Sequence, residues 1–110
     1  MKSNLIRTQL YVVLVAVLFN LSTGSLWAQS AGETLFKSKC AVCHGADGKG
    51  EVPMGKKLGA RNLGSPEVQA QSDAQLAGVL TKGQNKMPAY GEKLTGDQIN
   101  DLIKYIRSLK

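Results

Sequence analysis

Both cysteines of this 110-residue chain and its only histidine stand within five consecutive positions, Cys40-Ala41-Val42-Cys43-His44. Two thiols three apart with an imidazole directly after them restrict the chemistry to a few arrangements. A Cys40–Cys43 disulfide would close so small a loop that it removes little chain entropy, which makes it a weak staple. A structural zinc needs four ligands, and the chain holds no second Cys or His pair to complete the set. A thioredoxin-like dithiol calls for a βαβ setting, whereas residues 46–66 read as a long glycine-rich loop. The fourth arrangement uses all three residues. C-x-x-C-H is the signature of c-type haem attachment: two thiols add across the two vinyl groups of one porphyrin, and the adjacent imidazole reaches the iron.

Iron held in this way has a second axial position. With no further histidine in the chain, the soft donor that remains is a methionine thioether. Met1 leaves with the amino-terminal segment described below. Met54 lies only ten residues past His44 and would have to loop round the edge of the macrocycle. Met87, 43 residues past His44, is followed by Pro88, which lacks an amide donor and pushes the preceding residue out of helical geometry. Its sulfur is therefore offered from a stiff extended loop. A methionine that merely fills a core gap belongs on a helical apolar stripe, and Met87 is on none. The candidate cofactor-binding residues are Cys40, Cys43, His44 and Met87, with His44 and Met87 as iron ligands of one covalently attached haem c.

The elements that must position these residues are helical. Gly32 to Val42 carries Leu35, Phe36 and Cys40 at helical spacing, so a first helix ends in the cysteine segment. Ser72 and Asp73 cap a second helix running to about Thr81, with Leu76, Val79 and Leu80 inward and Gly83 as its stop. Thr95 and Gln98 form a capping box that opens a last helix, Gly96 to Leu109, where Ile99, Leu102, Ile103, Ile106 and Leu109 make one apolar stripe. Nothing alternates like a strand.

Residues 1–28 stand apart as a cleaved secretory signal. Lys2 and Arg7 give the positive start, Leu10 to Leu21 the apolar run, and Ala28 a small residue at the cut. Asn20, Ser22, Thr23 and Gly24 interrupt the run before it reaches the roughly 20 apolar residues of a membrane span. Residues 29–110 then form one exported domain with no span after cleavage. Loss of Lys2 and Arg7 leaves twelve Lys and Arg against eight Asp and Glu, a net charge of +4 instead of +6. The basic residues are scattered, with Lys56-Lys57 the one adjacent pair and no aromatic interleaving, which argues against a nucleic-acid partner. Aromatics make up only 5% of the chain, so a small domain of this kind calls for a cofactor in its core.

From Ala31 to Lys110 the chain resembles a small monohaem class I cytochrome c of the bacterial type. GETLFKSKCAVCHGADGKG is similar to that family's first helix and haem site, KMPAY to its methionine loop, and LTGDQINDLIKYIRSLK to its last helix. The resemblance implies an all-α fold of three to five short helices wrapped around one covalently attached haem. It also implies attachment through Cys40 and Cys43, axial ligands His44 and Met87, and a crossing of first and last helices around Gly32, Phe36, Leu102 and Tyr105. Where many relatives place a proline after the glycine of the loop beyond the haem site, this chain has Gly55-Lys56-Lys57-Leu58, and a backbone carbonyl there is expected to accept from His44 Nδ1.

With both axial positions taken, the iron has no open site for substrate. The expected function is a periplasmic, monomeric, non-enzymatic single-electron carrier between redox partner proteins. A haem subunit of a larger oxidoreductase complex shares every motif. If Met87 were unbound, the open iron would suit a gas sensor or a peroxidase-like enzyme. Lys56, Lys57 and Lys86 are expected to frame the exposed haem edge and to meet an acidic partner.

Overall fold

Ile99, Leu102, Ile103 and Ile106 recur at three- and four-residue spacing, and a computed structural model of the chain, which describes residues 1–20 and 24–110, turns all four inward on a 13-residue helix. In chain order the helices among the described residues are α1 (Lys2–Asn20), α2 (Gly24–Lys39), α3 (Ala41–His44), α4 (Pro53–Leu58), α5 (Pro66–Gln69), α6 (Asp73–Lys82) and α7 (Gly96–Ser108). No strand occurs among them, only an isolated antiparallel bridge between Gln84 and Met87. No helix of the described residues is long and apolar enough to cross a membrane. Positions 21–23 of the proposed signal lie outside the described residues, and α2 runs without interruption past Ala28.

Both long helices of the domain's second half start as their sequences dictate. The Ser72 and Thr95 side chains accept from the backbone N–H groups of Gln75 and Gln98, and those glutamines reach back to the cap amides at 2.8 and 2.9 Å. Each box satisfies two amides that the helix itself leaves without partners, an arrangement whose cap residue alone is worth roughly 0.5–2 kcal/mol. Gly83 closes α6 as expected.

The principal packing is α2 against α7. Phe36, 1% exposed, and Leu102, fully buried, are its centre, and the Phe36 and Tyr105 rings lie 5.1 Å apart at 51°. Burial of each large side chain contributes roughly 1.5–3 kcal/mol. The close approach depends on Gly32. A Cβ there would collide with the Asp101 carbonyl and sit 3.1 Å from Tyr105 Cβ. The crossing implied by the family resemblance is thus realised by Gly32, Phe36, Leu102 and Tyr105.

Three local expectations need correction. The first helix does not run unbroken through Val42: it ends at Lys39, bends at Cys40 (φ −112°, ψ −31°) and resumes as the single turn α3. Residues 46–66 are not all loop, since Pro53 opens α4 and Pro66, behind the Ser65 cap, opens α5. Proline favours the first helical turn, where its missing N–H costs nothing. Val79, finally, is half-buried and faces a cleft, while Leu76 and Leu80 beside it are buried.

Candidate functional site

The bend at Cys40 turns α3 so that Cys40, Cys43 and His44 border one cleft of about 270 Å³. Its other walls come from the Leu58–Leu63 segment, Val68 of α5, Leu76 and Val79 of α6, and the loop that carries Met87, Pro88 and Tyr90. Most of these side chains are apolar. Gly55 sets α4 close behind the site, where a Cβ would collide with the Cys43 carbonyl.

Both cysteines are free thiols and half-buried. Burial pushes the Cys40 thiol up to about 11, so it is a neutral, apolar-facing group at neutral pH. The His44 ring is held by its Nδ1, which lies 3.1 Å from the Arg61 carbonyl. A carbonyl can only accept, so Nδ1 carries the proton and Nε2 keeps its lone pair. Burial also lowers the His44 pKa below its ordinary value, more than the Arg61 bond raises it, and the ring is neutral at pH 7. The acceptor is therefore Arg61 and not the Gly55–Leu58 stretch, which the structure folds into the short helix α4.

Met87, half-buried, packs against the edge of the hydrophobic core and borders the same cleft as His44. Met54 is on α4, 44% exposed, and is not among the residues that line the cleft. Lys86 borders the cleft, as the sequence suggested, together with Lys39 and Arg61, all three exposed. Lys56 and Lys57 are exposed on α4 but do not line it.

The donor set suits a porphyrin with iron at its centre: two free thiols, a neutral imidazole with one nitrogen unbound, and a thioether, with apolar side chains between them. Among the described residues no cluster of three His, Cys, Asp or Glu offers an alternative metal site. Sequence reasoning assigned no role to Arg61 or Tyr90. The Arg61 acceptor is a backbone atom and has no side-chain signal. Tyr90 was visible in KMPAY, and its hydroxyl donates to the Lys39 carbonyl, 51 residues away, at 3.3 Å.

The chain is similar to several known proteins. A family model described as "Cytochrome C oxidase, cbb3-type, subunit III" matches residues 28–106. Cytochrome c6 of Gloeothece citriformis is 33% identical over 103 residues, covering 86% of each chain. Cytochrome c6 of Rippkaea orientalis is 35% identical over 80 residues, 70% of this chain and 67% of that protein. The cbb3-type cytochrome c oxidase subunit CcoP of Azospirillum brasilense is 31% identical over 84 residues, 74% of this chain but 28% of the subunit. The solved structure of the KustC0563 c-type cytochrome matches with a TM-score of 0.67 at 33% identity, covering 72% of this chain and 96% of that one.

Proposed function

Because the chain belongs to the family of monohaem cytochrome c domains, we propose that Cys40, Cys43, His44 and Met87 hold one haem c and that the protein is an exported single-electron carrier. When bound, that group supplies one-electron chemistry at a potential raised by methionine ligation. The remaining work belongs to the polypeptide. The Arg61 carbonyl fixes the imidazole tautomer and ring plane, leaving Nε2 with its lone pair free to bind iron. Val68, Leu76 and Val79 keep that wall of the cleft apolar and exclude water. The observation that carries the proposal is the meeting of His44 and Met87, 43 residues apart in sequence, at one apolar cleft beside both free thiols.

A redox titration of the purified protein, followed by its visible spectrum, tests this reading. A single one-electron wave, with the haem mass found on the peptide containing Cys40 and Cys43, is the expected result; a bare peptide refutes it. Export is supported by the charged, apolar and small-residue order of residues 1–28 and by the start of the family match at residue 28. Cleavage near Ala28, with delivery of residues 29–110 to the periplasm as a monomer, is part of the proposal.

The similarity to CcoP favours a second reading, in which the domain is a haem subunit with a permanent partner. Gel filtration of the gently solubilised native protein separates the two: a free carrier elutes as a small monomer, and a subunit co-elutes with larger chains.

The cations at the mouth of the cleft give the carrier a docking face for an acidic redox partner. Attraction of this kind speeds encounter more than it tightens the complex, and it is screened beyond about 8 Å at physiological salt. Reversal of Lys39 and Lys86 to glutamate is expected to slow the second-order electron-transfer rate about tenfold or more at low salt and to flatten its salt dependence. Reversal of Lys104 and Lys110, which do not line the cleft, should have a smaller effect. Stopped-flow rates across a salt series measure both, and equal effects from the two pairs would leave only net charge.

A further inference from the structure

The loop that presents Met87 is folded back on α6 by its own backbone. Met87 N–H donates to the Gln84 carbonyl at 2.9 Å, and Gln84 N–H returns a bond to Met87 at 3.2 Å. The turn between them places Asn85 at φ 54°, a left-handed conformation that asparagine tolerates better than most residues. Tyr90 and Gly91 N–H groups then donate to the Leu80 and Thr81 carbonyls, two of the acceptors that the carboxyl end of α6 leaves without helical partners. All four bonds tie the loop to itself or to α6. None reaches the cysteine segment.

Among the described residues, the hydrogen bond that crosses from this loop to that segment is the one from the Tyr90 hydroxyl to the Lys39 carbonyl. Lys39 is the last residue of α2 and directly precedes Cys40. The Tyr90 ring is held by other means: it packs at the edge of the core, with the Lys93 ammonium 5.6 Å above its centroid. Ring packing and hydroxyl bond are thus separable by substitution.

We propose that Tyr90 is a positioning residue whose hydroxyl tethers the Met87 loop to the end of α2 and thereby sets how often Met87 leaves the iron. This rests on the reading of Met87 as a ligand. With the tether gone, the loop opens from α2 while the domain stays folded, and the opening equilibrium rises by the worth of one neutral hydrogen bond, roughly three- to tenfold.

The test uses the haem-loaded protein and its Tyr90→Phe variant. Amide hydrogen exchange is followed at Met87, Tyr90 and Gly91, with the amides of Leu102, Tyr105 and Ile106 in α7 as internal reference. The affinity of the oxidised protein for added imidazole is measured in parallel. Loop amides should exchange roughly three- to tenfold faster with α7 unchanged, and imidazole should bind tighter by the same factor. Lys93→Ala, which keeps the hydroxyl, should leave loop exchange near wild type. Unchanged loop exchange in Tyr90→Phe overturns the proposal, as does equal acceleration in α7, faster exchange with no change in imidazole affinity, or the same acceleration in Lys93→Ala. A failure of the Met87 reading itself shows separately, as ready binding of carbon monoxide by the reduced wild-type protein.

Discussion

Met87→Ala should lower the reduction potential by at least about a tenth of the ~0.8 V span over which axial ligands set haem potentials. The direction follows from the ligand: a thioether donates weakly to ferric iron, so its loss, with water in its place, favours the oxidised state. The same change should open the iron to carbon monoxide and cyanide while the haem stays attached, because Cys40 and Cys43 are untouched. Met54→Ala is the matched control. Met54 is exposed on α4 and does not line the cleft, so potential and ligand binding should stay at wild-type values. A potentiometric titration and a carbon monoxide difference spectrum of the three proteins check both statements. Equal shifts in the two variants would assign the ligand to neither.

Replacement of Cys40 and Cys43 together by alanine should have the largest structural consequence. A tether holds its cargo at an effective concentration of roughly millimolar, about a thousandfold above the free haem available at micromolar protein, so the double variant should hold haem only loosely. Emptying the cleft leaves a poorly filled core. Val68 and Leu76 both border the cleft and belong to the buried set, so they lose partners on one side. A domain this small has little other burial to offset that loss. The double variant should release all its haem on acid-acetone extraction and, once stripped, show no cooperative thermal transition by circular dichroism. A stripped variant that still melts cooperatively would show that the α2–α7 packing suffices without the cofactor.

The parts of this architecture that sequence made legible are those carried by side chains at fixed local spacing. The cap at Ser72, the capping box at Thr95, the stripe on α7 and the glycine stop at Gly83 are local devices, and the structure contains each of them, with Gln75 completing a box at Ser72 as well. The cysteine-histidine segment and the methionine loop stood out by residue type and local spacing, and the structure brings both to one cleft. Residues 46–66 were harder because their glycines outweighed two short signals, Pro53 with Gly59 and Ser65-Pro66, which delimit α4 and mark the start of α5. The partner of His44 could not be found from side-chain types, since Arg61 contributes its backbone carbonyl. Which lysines border the cleft depends on how α4 folds, and that is a tertiary matter. Lys86 was placed by its neighbour Met87, whereas Lys56 and Lys57 were carried off the rim by a helix that glycine content concealed.

Whether Met87 joins His44 as a ligand decides between carrier and catalyst, and it is open to direct measurement. The visible spectrum of the reduced wild-type protein, recorded at neutral pH before and after saturation with carbon monoxide, reports whether the second axial position is taken. Ligation by Met87 predicts two superimposable spectra, with the carbon monoxide form appearing only in Met87→Ala. Immediate conversion of the wild-type protein to the carbon monoxide form would contradict the carrier account and leave an open iron of the kind that suits a sensor or a peroxidase-like enzyme.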